Sequence, residues 1–218
     1  MDPYATEDQQ VEALKTWWKQ NGVSIVVGLV IGLAALGGYR YWQALQLRTA
    51  EQASAGYQEM ISLVEEQKSA RAIDTGDQIQ TKFGDTNYAT LAALTAAKLA
   101  VDQDDNELAM SKLQWVIDNG KEVDLREVAI RRMARLLLSG GRTEAAWELV
   151  TNLTVNEEIA SWHELKGDIL LAEDKVDEAR AEYVQALALT EAAGGEMSLL
   201  QLKLDDLGII DVAINDQS

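Results

Sequence analysis

The chain has no cysteine, one proline, one phenylalanine and one histidine among its 218 residues. Without cysteine there is no disulfide, no thiolate metal site, no cysteine nucleophile and no lipid-modified N-terminal cysteine. A single histidine, His163, leaves no set of imidazole ligands for a metal and no histidine-based triad with a supporting second histidine. With proline confined to Pro3, a sheet-rich fold with many turns is disfavoured. Ala, Leu and Glu are the commonest residues instead, and these are good helix formers. Basic charge is also scarce: 19 Lys and Arg stand against 36 Asp and Glu, a net charge of −17. Such a surface repels phosphates and anionic lipid head groups, so nucleic acid is not an expected partner, while cationic polypeptide segments are compatible with it.

One stretch stands apart from this polar background. Val23 to Tyr39 reads VSIVVGLVIGLAALGGY, and no charged side chain lies between Lys19 and Arg40. The 20 residues from Gln20 to Tyr39 would rise about 30 Å as a helix, the thickness of the hydrocarbon layer of a bilayer. Trp17 and Trp18 precede the span, and Tyr39, Tyr41 and Trp42 follow it, as in interfacial aromatic belts. A cleaved signal peptide has a short basic leader and a small-residue exit. Here the leader is long and mixed in charge and the exit is bulky and cationic, so a retained signal anchor is expected. Local charge leaves the orientation nearly balanced, with Lys15 and Lys19 on one side and Arg40 and Arg48 on the other. Within the span Ser24, Gly28 and Gly32 recur every four residues, a spacing that lets a second helix approach closely.

The residues after Trp42 carry 16 basic and 32 acidic groups, net −16, and are numerous enough for one well-buried core or a small repeat array. Apolar positions at Ala44, Leu47, Ala50, Tyr57, Ile61 and Val64 keep helical steps and predict that the helix runs on from Tyr39 without a break. A shorter helix is predicted over 70–83, ending near Gly84. Three segments then resemble one another. In each, an apolar helix meets a polar turn (Asp102–Asn106, Ser139–Thr143, Glu173–Asp177), and a second helix opens on an alanine, at Ala109, Ala146 and Ala179. The intervals of 37 and 33 residues between those alanines bracket the tetratricopeptide period of about 34. The third copy fits that pattern best, with Gly167, Leu170, Ala179, Tyr183, Ala186 and Leu187. The corresponding residues are Ala134, Leu137, Ala146, Val150 and Leu153 in the second copy, and Ala97, Ala100, Ala109, Leu113 and Val116 in the first. The proline that closes such repeats is missing from all three. A last amphipathic helix is predicted over 196–207 as a polar cap, with a frayed end beyond Gly208. The fold class is therefore all-α: one N-terminal transmembrane helix followed by a tetratricopeptide-like array of helical hairpins. The expected divisions are a tail over 1–22, an anchor over 23–42, a connecting helix pair over 43–84, and repeats with a cap over 85–218.

Catalytic chemistry has no obvious seat in this chain. No Gly-rich loop follows a strand, so no phosphate cradle is expected. Asp104-Asp105 and Asp205-Asp206 are neighbours whose side chains diverge by about 100° on a helix, too far for a carboxylate dyad. Trp115, Trp147, Trp162 and His163 fall within repeat helices and are expected to pack. No metal and no cofactor are implied, and a non-enzymatic interaction protein is expected. The first helices of such arrays line a concave groove, and the repeat pattern assigns to it Leu91, Leu94, Lys98, Arg131, Arg135, Glu164 and Asp168. Charge reversal at Arg131 and Arg135 is expected to weaken partner capture without unfolding the domain.

Five segments resemble one known family: Asp8-Gln9-Gln10-Val11-Glu12-Ala13-Leu14-Lys15, Gly37-Gly38-Tyr39-Arg40-Tyr41-Trp42, Ser54-Ala55-Gly56-Tyr57-Gln58, Tyr88-Ala89-Thr90-Leu91-Ala92-Ala93-Leu94, and Leu165-Lys166-Gly167-Asp168. The chain resembles, nearly end to end, the YfgM-type ancillary subunits of the SecYEG translocon of Gram-negative bacteria. That resemblance implies a single-pass inner-membrane protein with its N-terminus in the cytoplasm and its repeats in the periplasm. Its implied partners are the SecYEG channel, a membrane-anchored chaperone of the PpiD type and unfolded secretory polypeptides. From the residues alone a second reading stays open, a cytosol-facing scaffold that recruits soluble complexes to the membrane.

Overall fold

A computed structural model of the chain describes residues 7–152 and 159–208. Among the described residues there are nine helices and no strand: α1 (Glu7–Glu65), α2 (Ser69–Phe83), α3 (Asn87–Val101), α4 (Asn106–Asn119), α5 (Val123–Ser139), α6 (Thr143–Thr151), α7 (Ala160–Ala172), α8 (Val176–Ala192) and α9 (Ser198–Asp206). The all-α expectation is met, and α1 runs unbroken through Gly37-Gly38 as its side-chain period predicts. Leu153 and the segment beyond Gly208 lie outside the described residues.

The chain forms two compact units, Met1–Gln52 and Ala53–Ser218. In the first, α1 carries one stretch long and apolar enough to cross a membrane, and almost none of it is buried. Val23 is 74% exposed and Ile31 63%. Lipid is the solvent that suits such a surface, because a helix satisfies its own backbone there while its side chains meet hydrocarbon.

In the second unit, helices pair into antiparallel hairpins that share their cores with the next pair. Met60 and Leu63 of α1 pack with Ala72, Ile73 and Ile79 of α2 and with Ala89, Ala92, Ala96 and Leu99 of α3. Leu113 and Val116 of α4 then join α3 to Ala129 of α5. Val150 of α6 and Trp162, Leu165 and Ile169 of α7 pack on Ile130, Ala134 and Leu137. Finally Leu200 and Leu204 of α9 close the row on Leu170, Ala179, Tyr183 and Ala186. Each hairpin is thus stabilised by its neighbours, as in repeat proteins generally.

Four turns have one geometry. Gln67, Asp104, Gly141 and Asp174 all have φ between 58° and 72°. The next residue sends its amide back to a carbonyl five positions earlier: Lys68 to Leu63 at 2.9 Å, Asp105 to Ala100 at 2.9 Å, Arg142 to Leu137 at 2.8 Å and Lys175 to Leu170 at 3.0 Å. That closing bond satisfies a carbonyl the helix end would otherwise leave open. Five residues after each left-handed residue stands a fully buried alanine, Ala72, Ala109, Ala146 or Ala179. Ala72 precedes Ala109 by 37 residues, so the end of α1 with α2 repeats the three hairpins that follow. A side chain with a Cβ costs about 1–2 kcal/mol in the left-handed region, partly offset by the freedom glycine has in the unfolded chain. Gln67→Gly is therefore expected to raise unfolding free energy by about 0.5 kcal/mol and Gly141→Ala to lower it by about 1 kcal/mol, read from denaturant midpoints of the full chain in micelles.

Where the two helices of a hairpin cross, one large and one small residue face each other sixteen positions apart. The pairs are Met60 with Gly76, Ala97 with Leu113, Ala134 with Val150, and Gly167 with Tyr183, all buried. A Cβ on Gly76 would lie 3.1 Å from Met60 Cε, and one on Gly167 only 2.5 Å from Tyr183 Cε1. The larger member stands on the second helix in three hairpins and on the first in the α1–α2 pair, and pairing large with small lets the backbones approach without a void.

Candidate interaction surface

Counting back 15 and 11 residues from each buried alanine gives two rows along the first helices. One is Tyr57, Leu94, Arg131 and Glu164; the other is Ile61, Lys98, Arg135 and Asp168. Contacts between neighbouring first helices run along these rows. Tyr57 of α1 reaches α3 with its hydroxyl 3.5 Å from Thr95 Oγ1 and its ring 6.1 Å from that of Tyr88. From α5, Arg135 Nη2 stands 4.0 Å from Glu164 Oε2 of α7.

The candidate residues differ in what they offer a partner. Leu91 is partly exposed, whereas Leu94 is 7% exposed and belongs to the core between α3 and α5. Lys98 is solvent-facing and pairs with Asp102 one turn on, at 2.8 Å, a surface contact worth about 0–1 kcal/mol. Arg135 is about half exposed. Arg131 is packed: its guanidinium carbon sits 4.8 Å over the Trp162 ring, and Nη1 lies 3.5 Å from Glu127 Oε2. Burial lowers the Arg131 pKa below the usual guanidinium range, Glu127 raises it, and the nearby Arg135 and Arg132 lower it further. Trp162 Nε1 donates to the same Glu127 oxygen at 3.4 Å. Replacing Arg131 with Glu would set a second carboxylate beside buried Glu127. Arg131 is packed against Trp162 and Glu127, so Arg131→Glu is expected to lower stability as well as change surface charge, and the half-exposed Arg135 is the cleaner position for a charge-reversal test.

At the far end of the rows, Lys203 of α9 donates from Nζ to Glu164 Oε1 at 2.7 Å and to Asp168 Oδ1 at 2.6 Å. Tyr183 donates its hydroxyl to Asp168 Oδ1 at 2.7 Å, and Lys203 Nζ lies 5.4 Å from the centre of its ring. Burial pushes the Tyr183 hydroxyl well above the ordinary tyrosine range, and the bond to Asp168 and the nearby carboxylates push it the same way. The fold thus holds that proton more tightly than the unfolded chain does. The stabilisation is intact below pH of about 10, where unfolded tyrosine ionises, and is lost as the pH rises through the raised value. Denaturation at pH 9 and at pH 11 should show this loss, and Tyr183→Phe should remove that share of it.

Ser24, Gly28 and Gly32 lie on the apolar part of α1. A Cβ added at Gly28 or Gly32 meets nothing within 4 Å, so the backbone is open there to close approach. Among the described residues no group of three or more His, Cys, Asp or Glu side chains could hold a metal.

Residues 15–209 match the tetratricopeptide repeat-like domain family. The ancillary SecYEG translocon subunit of Escherichia coli (strain K12) is 29% identical over 209 residues, covering 96% of this chain and all of that protein. Its counterpart in Aggregatibacter actinomycetemcomitans is 31% identical over 202 residues, 92% of this chain and 97% of that one. That of Haemophilus influenzae is 28% identical over 203 residues, again 92% and 97%. The chain belongs to the ancillary SecYEG translocon subunit family.

Repeat stacks in general present such rows as extended surfaces. Sequence spacing placed six of its seven candidates on these rows, all but Leu91, and the structure brings Arg135, Glu164 and Asp168 into one network. It did not find Tyr57, Ile61, Tyr88 or Lys203. The first two could have been found from Ala72, which extends the alanine series by one copy. Lys203 carries no such mark, since its role arises only when α9 folds back on α7.

Proposed function

We propose that this member of the family is a non-enzymatic interaction module anchored by α1, with its N-terminus in the cytoplasm and its repeats in the periplasm. There the first-helix rows contact polypeptides leaving the SecYEG channel and a membrane-anchored chaperone of the PpiD type. The observation that carries this reading is the joining, in one helix, of an exposed apolar span to the opening helix of a hairpin stack. The span commits the chain to a bilayer, and the stack offers a long surface of mixed apolar and charged side chains suited to extended or helical segments. Ser24, Gly28 and Gly32 serve as the approach face for a helix of the channel.

Protease added to spheroplasts tests the orientation. Digestion of the region after Trp42 from outside is expected, and full protection would leave the cytosol-facing scaffold instead. Photo-crosslinkers placed at Gly28, Gly32, Leu91 and Arg135 test the surfaces, with channel subunits expected from the first two sites and translocating chains from the last two. Arg135→Glu should reduce client crosslinking about fivefold while leaving the melting temperature within about a degree, as for a charge in a solvated rim. Unchanged crosslinking would remove Arg135 from the surface.

A further inference from the structure

The rows on the first helices end in a site that already holds an ammonium group. Glu164 and Asp168 come from successive turns of α7, at the two row positions. Between them sits Lys203 Nζ, 2.7 and 2.6 Å from one oxygen of each, and the Tyr183 ring flanks it at 5.4 Å. Two carboxylates and an aromatic face are the chemistry that recognises a lysine side chain. The site is not sealed: the side chains of Lys203, Glu164 and Asp168 are 24%, 19% and 24% exposed. Helix α9 itself is held by Leu200 and Leu204, each 6% exposed in the core with Tyr183 and Ala186. The Lys203 side chain can therefore leave while its helix stays docked.

We propose that Glu164, Asp168 and Tyr183 form an exchangeable lysine-binding subsite of the groove, filled in the free protein by Lys203 and taken over by a lysine of a bound polypeptide segment. This rests on the groove reading above and names the side-chain chemistry one end of it selects. Exchange replaces one ammonium with another, so the charge in the site is conserved; the incoming lysine sheds its hydration as Lys203 regains its own, and the freedom lost by the incoming chain is offset by the other contacts of its segment with the rows. Lys203 and its two carboxylate partners all keep some exposure, so water competes for the resident contacts and lets them exchange. The net charge of −17 draws cationic segments toward the protein before they reach the subsite.

The test uses the full chain in nanodiscs and two fluorescent peptides of equal apolar content, one with a central lysine and a twin with norleucine in its place. Anisotropy should show the lysine peptide binding more tightly. Lys203→Gln should widen that preference about fivefold by vacating the site, and adding Glu164→Gln and Asp168→Asn should erase it, as removal of close charge pairs does elsewhere. In the unaltered protein, with lysine Nζ labelled for NMR, the Lys203 signal should move on adding the lysine peptide and stay put with the twin; this arm needs no variant to fold. Equal binding of both peptides to the unaltered protein and to Lys203→Gln, with an unmoved Lys203 signal, overturns the subsite and leaves the groove reading standing. No binding of either peptide to any form defeats the groove reading itself.

Discussion

Trp162→Ala should destabilise the repeat unit by about 4 kcal/mol, the largest loss expected from any single truncation of the core. Trp162 is fully buried in the cluster that joins α5, α6 and α7. Removing the indole leaves a cavity that flanking helices, each fixed to a further neighbour, cannot close. It also strips Glu127 of its indole donor and Arg131 of its aromatic face. Glu127 is only 6% exposed, and a buried charge that loses a hydrogen bond adds to the cost of the cavity. Trp162→Phe keeps most of the volume but not the donor, so it isolates the polar part. An expected loss of about 1–2 kcal/mol separates it from the alanine variant. Urea unfolding followed by circular dichroism in micelles measures both. Equal, small losses in the two variants would show that the cluster does not depend on this residue.

The second large effect is expected at the crossing of α7 and α8. Gly167→Ala places a methyl group 2.5 Å from Tyr183 Cε1, and the ring has little room to retreat because its hydroxyl is bonded to Asp168 at 2.7 Å. Alanine is the better helix former by about 1 kcal/mol, yet overpacking costs typically 1–3 kcal/mol and at times more. A net loss of about 2 kcal/mol is therefore expected. The informative variant is the double one. Gly167→Ala with Tyr183→Leu rebuilds the pairing of Ala97 with Leu113, so the two changes should compensate by at least about 1 kcal/mol in a double-mutant cycle. Strictly additive losses would show that the crossing is not governed by shared volume.

The fold was legible because small residues mark the crossings. Ala109, Ala146 and Ala179 stand out in sequence at near-constant intervals, and the periodic apolar positions after Tyr39 carry α1 across two adjacent glycines. The first hairpin was harder to see. Its crossing places methionine on the first helix and glycine on the second, the reverse of the later copies, and its turn uses Gln67 in a conformation that glycine would have advertised. The two rows along the first helices follow from the same counting, since position on a helix follows from spacing. What each row residue touches does not. Leu94 and Arg131 sit at row positions but are taken up by the core and by Trp162, and Lys203 reaches α7 from a helix 35 or more residues away. Such contacts depend on how far one hairpin is rotated against the next, which no interval in the chain encodes.

The exchange of bulk between partners at the crossings also sets how this array can be rebuilt. Helices transplanted singly between the first and fourth hairpins would pair Met60 with Tyr183, or Gly76 with Gly167, giving a collision in one chimera and a hole in the other. Exchanging whole hairpins keeps every crossing matched, so only the cores shared between neighbouring hairpins have to be refitted.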